Sequence, residues 1–66
     1  MTLKEVRAAL KKAQIQFFGS ERELDKRVVK AFANEMRNRQ YGITETWDAY
    51  LWFQSGWRAK ENDHGN

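Results

Sequence analysis

Three carboxylates lie close together in the sequence, at Glu21, Glu23 and Asp25. Closely spaced carboxylates can exchange a proton as acid and base, so this segment is the first place to look for chemistry. The same residues also suit the first turns of a helix, where anions complement the helix dipole and pair with Lys26 or Arg27. The pattern fits the helix better, and we expect these carboxylates to have a structural role.

Other residue types that support catalysis or metal binding are scarce. His64 is the only histidine, and the sequence contains no cysteine. Zinc sites usually require four ligands drawn mainly from Cys and His, and no glycine-rich phosphate-binding motif occurs. The sequence therefore predicts a protein that is not an enzyme, with no metal site, no cofactor and no small-molecule substrate.

Glycines and capping patterns divide the chain into three predicted helices, at about residues 3–18, 21–41 and 45–56. The expected N-caps are Thr2, Ser20 and Thr44, the first two followed three residues later by the glutamate of a capping box. Gly19 can adopt the left-handed conformation that ends a helix. The sequence thus predicts an all-α fold, with a single helical domain over residues 1–60 and a disordered tail over residues 61–66.

The segment from Trp47 to Trp57 carries more large apolar side chains than a 66-residue chain can readily bury. Exposed apolar patches of several hundred Å² are uncommon on soluble monomers, whereas aromatic residues are enriched at subunit interfaces. We therefore expect a symmetric homodimer packed through the third helix; the alternative is a core within one chain. The residues of this expected interface or core are Trp47, Tyr50, Leu51, Trp52, Phe53 and Trp57.

Basic residues are concentrated in the first two thirds of the chain. Residues 1–42 contain ten Lys and Arg against five Asp and Glu, whereas residues 43–66 contain two against four. Such a surface can attract nucleic acid, although it is also ordinary for a soluble helical protein. A small basic DNA-binding regulator that uses the cations of helices 1 and 2 therefore remains an alternative function.

The predicted corner between the first two helices argues against a helix-turn-helix. That motif has a turn of three or four residues and a short recognition helix, whereas the expected corner is only Gly19 and Ser20 and the expected second helix is long. The exposed side of the second helix would instead bind a protein partner. The candidate partner-binding residues are Lys26, Lys30, Arg37, Arg39 and Tyr41.

As a whole, the stretch MTLKEVRAALKKAQIQFFGSERELDKRVVKAFANEMRNRQYG with an aromatic third helix resembles the small helical accessory proteins encoded in the exo to xis region of lambdoid bacteriophages. The resemblance covers nearly the entire chain and rests on size and helical layout. It implies a phage protein of the bacterial cytoplasm that binds a host or phage factor and influences lytic versus lysogenic development.

The apolar runs of the sequence are too short to cross a membrane, so no membrane partner is expected.

Overall fold

A computed structural model describes residues 1–64 of the chain, which contain three α-helices and no β-strand. The helices are α1 (Leu3–Phe18), α2 (Lys26–Glu35) and α3 (Ile43–His64). The predicted all-α fold is thus confirmed. The bounds of α1 are those expected from the sequence, whereas those of α2 and α3 differ.

Both ends of α1 are set by local sequence. The Glu5 N–H donates to Thr2 Oγ1 at 3.2 Å, and the Thr2 N–H donates to Glu5 Oε1 at 3.0 Å, which completes the predicted capping box. These hydrogen bonds lower the pKa of Glu5. Gly19 ends the helix with φ of 75°, and its N–H donates to the Ile15 carbonyl at 2.9 Å. A side chain at this φ would be strained.

The predicted start of α2 at residue 21 is wrong, and Ser20 is not its N-cap. The helix begins at Lys26, and Asp25 is the N-cap, its Oδ1 accepting from the Arg27 N–H at 2.9 Å. Residues 19–25 instead form a non-helical connection. The Arg22 N–H there donates to the buried Gln14 Oε1 at 3.3 Å, and Leu24 packs against the core. These contacts with α1 and the core outweigh the local Ser20–Glu23 capping pattern.

The predicted continuation of α2 to residue 41 is also wrong, because the helix ends at Glu35 and Met36 forms its C-cap. The Arg39 N–H donates to the Met36 carbonyl at 3.0 Å in a turn. The Met1 amine donates to the Met36 carbonyl at 2.8 Å and to the Arg39 carbonyl at 2.6 Å. A cation is favourable at this end of a helix, where carbonyl groups lack intrahelical partners.

The start of α3 also differs from the expectation, since Thr44 lies within the first turn and is not the N-cap. The helix begins at Ile43, and the Gly42 carbonyl accepts from the Thr46 N–H at 2.9 Å and from Thr46 Oγ1 at 2.7 Å. The second bond gives the hydroxyl of the buried Thr46 side chain a hydrogen-bond partner.

The predicted end of α3 at residue 56 is wrong, because the helix passes through Gly56 and continues to His64. Trp57 packs beside Phe53 with ring centroids 6.2 Å apart, and its Nε1 donates to Glu61 Oε1 at 2.9 Å. Arg27 lies 3.6 Å from the same carboxylate. These contacts stabilise the last turns, so residues 61–64 of the expected disordered tail are helical. Residues 65 and 66 lie outside the described residues.

All three helices contribute to one hydrophobic core. Phe32 of α2 lies at its centre, with ring centroids 5.5 Å from Tyr50 and 5.6 Å from Phe53. Met1, Leu24 and other half-buried residues pack around it. The buried apolar residues of this core are Val6, Leu10, Ala13, Val28, Val29, Phe32, Ala33, Met36, Trp47 and Tyr50.

Candidate functional site

The aromatic segment of α3 is divided between the core and the surface. Trp47 is 8% exposed and Tyr50 is 1% exposed. Their rings stack with centroids 5.8 Å apart, and Phe18 packs edge-on against Trp47 at 5.9 Å. A single chain therefore buries these two residues of the expected interface by itself.

The remaining aromatic residues are less covered. Phe53 and Trp57 are half-buried along α2, whereas Leu51 is 42% exposed and Trp52 is 81% exposed. Two residues correspond to about 200° of rotation around an α-helix, so Trp52 points away from the side on which Tyr50 is buried. Trp52 is the most exposed of the large apolar side chains in the described part of the chain.

Two adjoining hollows lie beside Trp52 in the cleft between α2 and α3. Their volumes are about 460 Å³ and about 340 Å³, and both are lined by Glu35, Trp52 and Phe53. The larger hollow extends past Gly56 to Lys60. Gly56 leaves open space, because a Cβ built there would meet nothing within 4 Å. We call the larger hollow the Trp52 pocket.

A larger groove of about 820 Å³ crosses the exposed side of α2. Its walls are the start of α1 and Trp57, its floor includes Ala31 and Ala33, and three cationic side chains lie along it. We call it the helix-2 groove, and its cations are Arg27, Lys30 and Arg37. Two of the predicted partner-binding residues, Lys30 and Arg37, are thus brought together.

The other predicted partner-binding residues lie elsewhere. Lys26 lines a separate hollow of about 310 Å³ between α1 and residues 21–24, together with Arg7, Lys11 and Arg22. Beyond the end of α2, Arg39 donates to the Tyr41 hydroxyl at 2.9 Å, and this hydrogen bond raises the pKa of Arg39. The five residues therefore do not form one continuous site.

The geometric argument against a helix-turn-helix no longer holds in its original form. The connection between α1 and α2 spans residues 19–25 rather than two residues, and α2 has 10 residues. The cations of α1 and α2 are exposed, including Lys4 and Lys12.

Two of the three clustered carboxylates, Asp25 and Glu21, have separate structural roles. Asp25 caps α2, and the hydrogen bond from the Arg27 N–H lowers the pKa of Asp25. Glu21 lies 3.7 Å from Lys11 in an exposed ion pair. Within the described part of the chain, no group of three or more His, Cys, Asp or Glu residues could hold a metal ion. His64 is the last residue of α3.

Tyr50 carries the one buried side-chain polar atom that has no hydrogen-bond partner among the described residues. Burial raises the pKa of the Tyr50 hydroxyl, and the charge of Asp25 raises it further. The hydroxyl lines none of the hollows described above, so it is a feature of the core rather than of a binding site.

Comparisons of the chain with protein-family models, with curated proteins and with solved structures found no match. Within residues 1–64, no helix has both the length and the apolar character needed to cross a bilayer.

Sequence reasoning missed the helix-2 groove because one of its walls is distant in the sequence. The Met1 amine holds the start of α1 against the end of α2, and Trp57 approaches from α3. The spacing of Arg22, Lys26 and Lys30 is a sequence signal for a basic row along one helix. It could not indicate the groove, because Arg22 lies outside α2.

Proposed function

We propose that this protein is a non-enzymatic interaction module that binds a partner protein in the helix-2 groove. The proposal rests on the combination of a largely apolar floor with three cationic side chains in this groove of about 820 Å³. Binding grooves commonly combine apolar walls with a few polar groups that fix orientation.

The charges in the groove favour an acidic partner segment. Arg27 is already paired with Asp25 and Glu61, each at 3.6 Å, and Arg37 donates to Asn34 Oδ1 at 3.0 Å. Lys30 forms no ion pair among the described residues. A segment with an apolar side chain against Ala31 and a carboxylate near Lys30 would complement both the floor and the rim.

The resemblance to phage accessory proteins extends this proposal. On that reading the protein acts in the cytoplasm of a bacterial host, and its partner is a host or phage protein. Binding would then influence the choice between lytic growth and lysogeny. This part of the proposal rests on the size and helical layout of the chain.

Site-directed photocrosslinking tests the helix-2 groove. A photoreactive phenylalanine at Leu3, an exposed position that lines the groove and not the Trp52 pocket, should crosslink one protein in a lysate of the source organism, to be identified by mass spectrometry. Lys30→Glu should abolish the crosslink, because it reverses the unpaired charge at the rim. Lys12→Glu is the matched control, since Lys12 is an exposed cation of α1 that lines none of the described hollows. Equal crosslinking in both variants would contradict the proposal.

A second candidate function is DNA binding by the cations of α1 and α2. The exposed Arg7, Lys11, Arg22 and Lys26 around one hollow support it, although Glu21 and Glu23 line the same hollow. Phosphate contacts weaken steeply as salt rises. A mobility-shift titration at low and physiological salt separates the candidates: absence of binding at low salt eliminates DNA binding, whereas sequence-selective binding at physiological salt would favour it over the protein partner.

A further inference from the structure

The outward side of α3 has a repeating pattern centred on Trp52. The residues of this side, which we call the outer stripe, lie three or four positions apart, the spacing that places side chains on one helix face. They are Glu45, Ala49, Trp52, Gly56 and Lys60. Ala49 is half-buried and the other four are exposed.

The charges of the outer stripe complement those of a second copy that runs in the opposite direction. Glu45 lies seven residues before Trp52 and Lys60 lies eight residues after it. In an antiparallel pair of α3 helices that cross near Trp52, Glu45 of one copy faces Lys60 of the other. Neither side chain has an ion-pair partner among the described residues of its own chain. A two-fold axis forms this ion pair twice.

Small residues allow such helices to approach closely around the indoles. Ala49 of one copy faces Gly56 of the other in the same antiparallel register. The Trp52 pocket, about 460 Å³, lies beside Gly56 with Phe53 in its wall. A hollow of this size is within the range that accommodates drug-sized ligands, so it can admit an indole ring.

We propose that two copies of this chain pair through antiparallel outer stripes, each inserting Trp52 into the Trp52 pocket of the other. The occupant is a second copy because the charges at the two ends of the stripe are opposite and nearly equidistant from Trp52. The pairing goes beyond the partner binding proposed above. Trp47 and Tyr50 take no part in it, since they are buried within each chain.

Sedimentation over a concentration series tests the pairing. It compares alanine substitutions at two exposed apolar residues, Trp52 and Leu51. Trp52→Ala should raise the dissociation constant of the dimer at least about thirtyfold, as expected for an aromatic hot spot. Its circular dichroism should remain that of the wild type, because the removed ring is exposed. Leu51→Ala is the control: Leu51 is the neighbouring exposed residue and does not line the Trp52 pocket. Its dissociation constant should change less than about threefold.

Charge reversal tests the antiparallel register. Glu45→Lys and Lys60→Glu should each weaken the dimer about fivefold at low salt, because each places like charges opposite one another. The double variant should recover the wild-type dissociation constant. A wild type that stays monomeric at high micromolar concentration, equal effects of Trp52→Ala and Leu51→Ala, or no recovery in the double variant would overturn the proposal. Leu3 lines the helix-2 groove and not the Trp52 pocket, so crosslinking from Leu3 in Trp52→Ala reports partner binding separately, and the two proposals can fail independently.

Discussion

Trp47 and Tyr50, one turn apart on α3, stack with ring centroids 5.8 Å apart and ring planes inclined by 28°. Tyr50 also meets Phe32 edge-on, with an interplanar angle of 77°. The ring of Tyr50 is therefore well packed, whereas its buried hydroxyl has no hydrogen-bond partner within the described residues. A buried hydroxyl without a partner has lost its hydration and gained no bond in return.

Tyr50→Phe should leave the free energy of unfolding unchanged or raise it by up to about 1 kcal/mol, because it removes the hydroxyl and keeps the ring. Urea unfolding followed by fluorescence measures this difference. Tyr41→Phe is the control, since the Tyr41 hydroxyl accepts a hydrogen bond from Arg39. A loss above about 1 kcal/mol in Tyr50→Phe would mean that the hydroxyl is hydrogen-bonded in solution.

The same hydroxyl predicts a loss of stability at alkaline pH. Tyr50 ionises near its ordinary pKa of 10.0 in the unfolded chain, whereas burial raises its pKa in the folded chain. Above about pH 10 the unfolded chain therefore releases a proton that the folded chain retains, and the free energy of unfolding falls as pH rises. Between about pH 9 and about pH 11, wild type should lose more stability than Tyr50→Phe. Parallel curves would show that Tyr50 ionises equally in both states.

The N-cap of α2 can be tested by paired substitutions. Asp25→Ala should lower the melting temperature, because the Arg27 N–H loses its acceptor, whereas Ser20→Ala should leave it unchanged. The pKa of Asp25 is lowered in the folded chain. The ionised carboxylate therefore contributes fully to the free energy of unfolding above its ordinary pKa of 3.8, and this contribution is lost as pH falls through the pKa of the folded chain. The opposite ranking of the two variants would place the helix start at Ser20.

Substitution of two glycines by alanine should have opposite effects. Gly56→Ala should raise the free energy of unfolding by about 1 kcal/mol, because Gly56 lies inside α3 with open space around it. Gly19→Ala should lower it by about 1 kcal/mol, because φ of 75° strains any residue with a Cβ. Thermal unfolding at low micromolar concentration compares the two. A destabilising Gly56→Ala would indicate that α3 ends before Gly56 in solution.

The contact between the Met1 amine and the end of α2 can be tested by chemical synthesis. Two 66-residue chains are compared, one with a free amine at Met1 and one with an acetylated Met1. Acetylation removes the charge that the Met36 and Arg39 carbonyls contact, and should lower the free energy of unfolding by about 1 kcal/mol. Identical urea midpoints would show that the charge contributes nothing.

Local patterns correctly predicted both ends of α1, but not the N-caps of α2 and α3. The Thr2–Glu5 capping box and the left-handed Gly19 each involve a few consecutive residues, and both occur as expected. The bounds of α2 and the end of α3 depend on distant contacts instead. Examples are Gln14 with Arg22, and Arg27 with Glu61. Such pairings arise only from the folded chain, so a local pattern could not anticipate them.

The candidate surfaces were also predictable only in part from the sequence. The sequence indicated an aromatic α3 and basic residues on α2, and Trp52, Lys30 and Arg37 are all exposed. Helical spacing places Trp47 and Trp52 on different faces of α3, but it could not indicate which face is covered. That depends on where α1 and α2 pack, which buries Trp47 and leaves Trp52 uncovered.

The helix α3 spans almost the whole length of the molecule. Its 22 residues span about 33 Å, close to the longest dimension of the fold, 37 Å. Near one end, Trp47 packs α3 into the core, and near the other, the ion pair between Arg27 and Glu61 joins α3 to α2. Trp52 lies midway along α3, on helical backbone between these two sets of contacts. A complex formed through Trp52 would thus freeze little more than the rotation of a single indole, and most of its contact energy would remain as affinity.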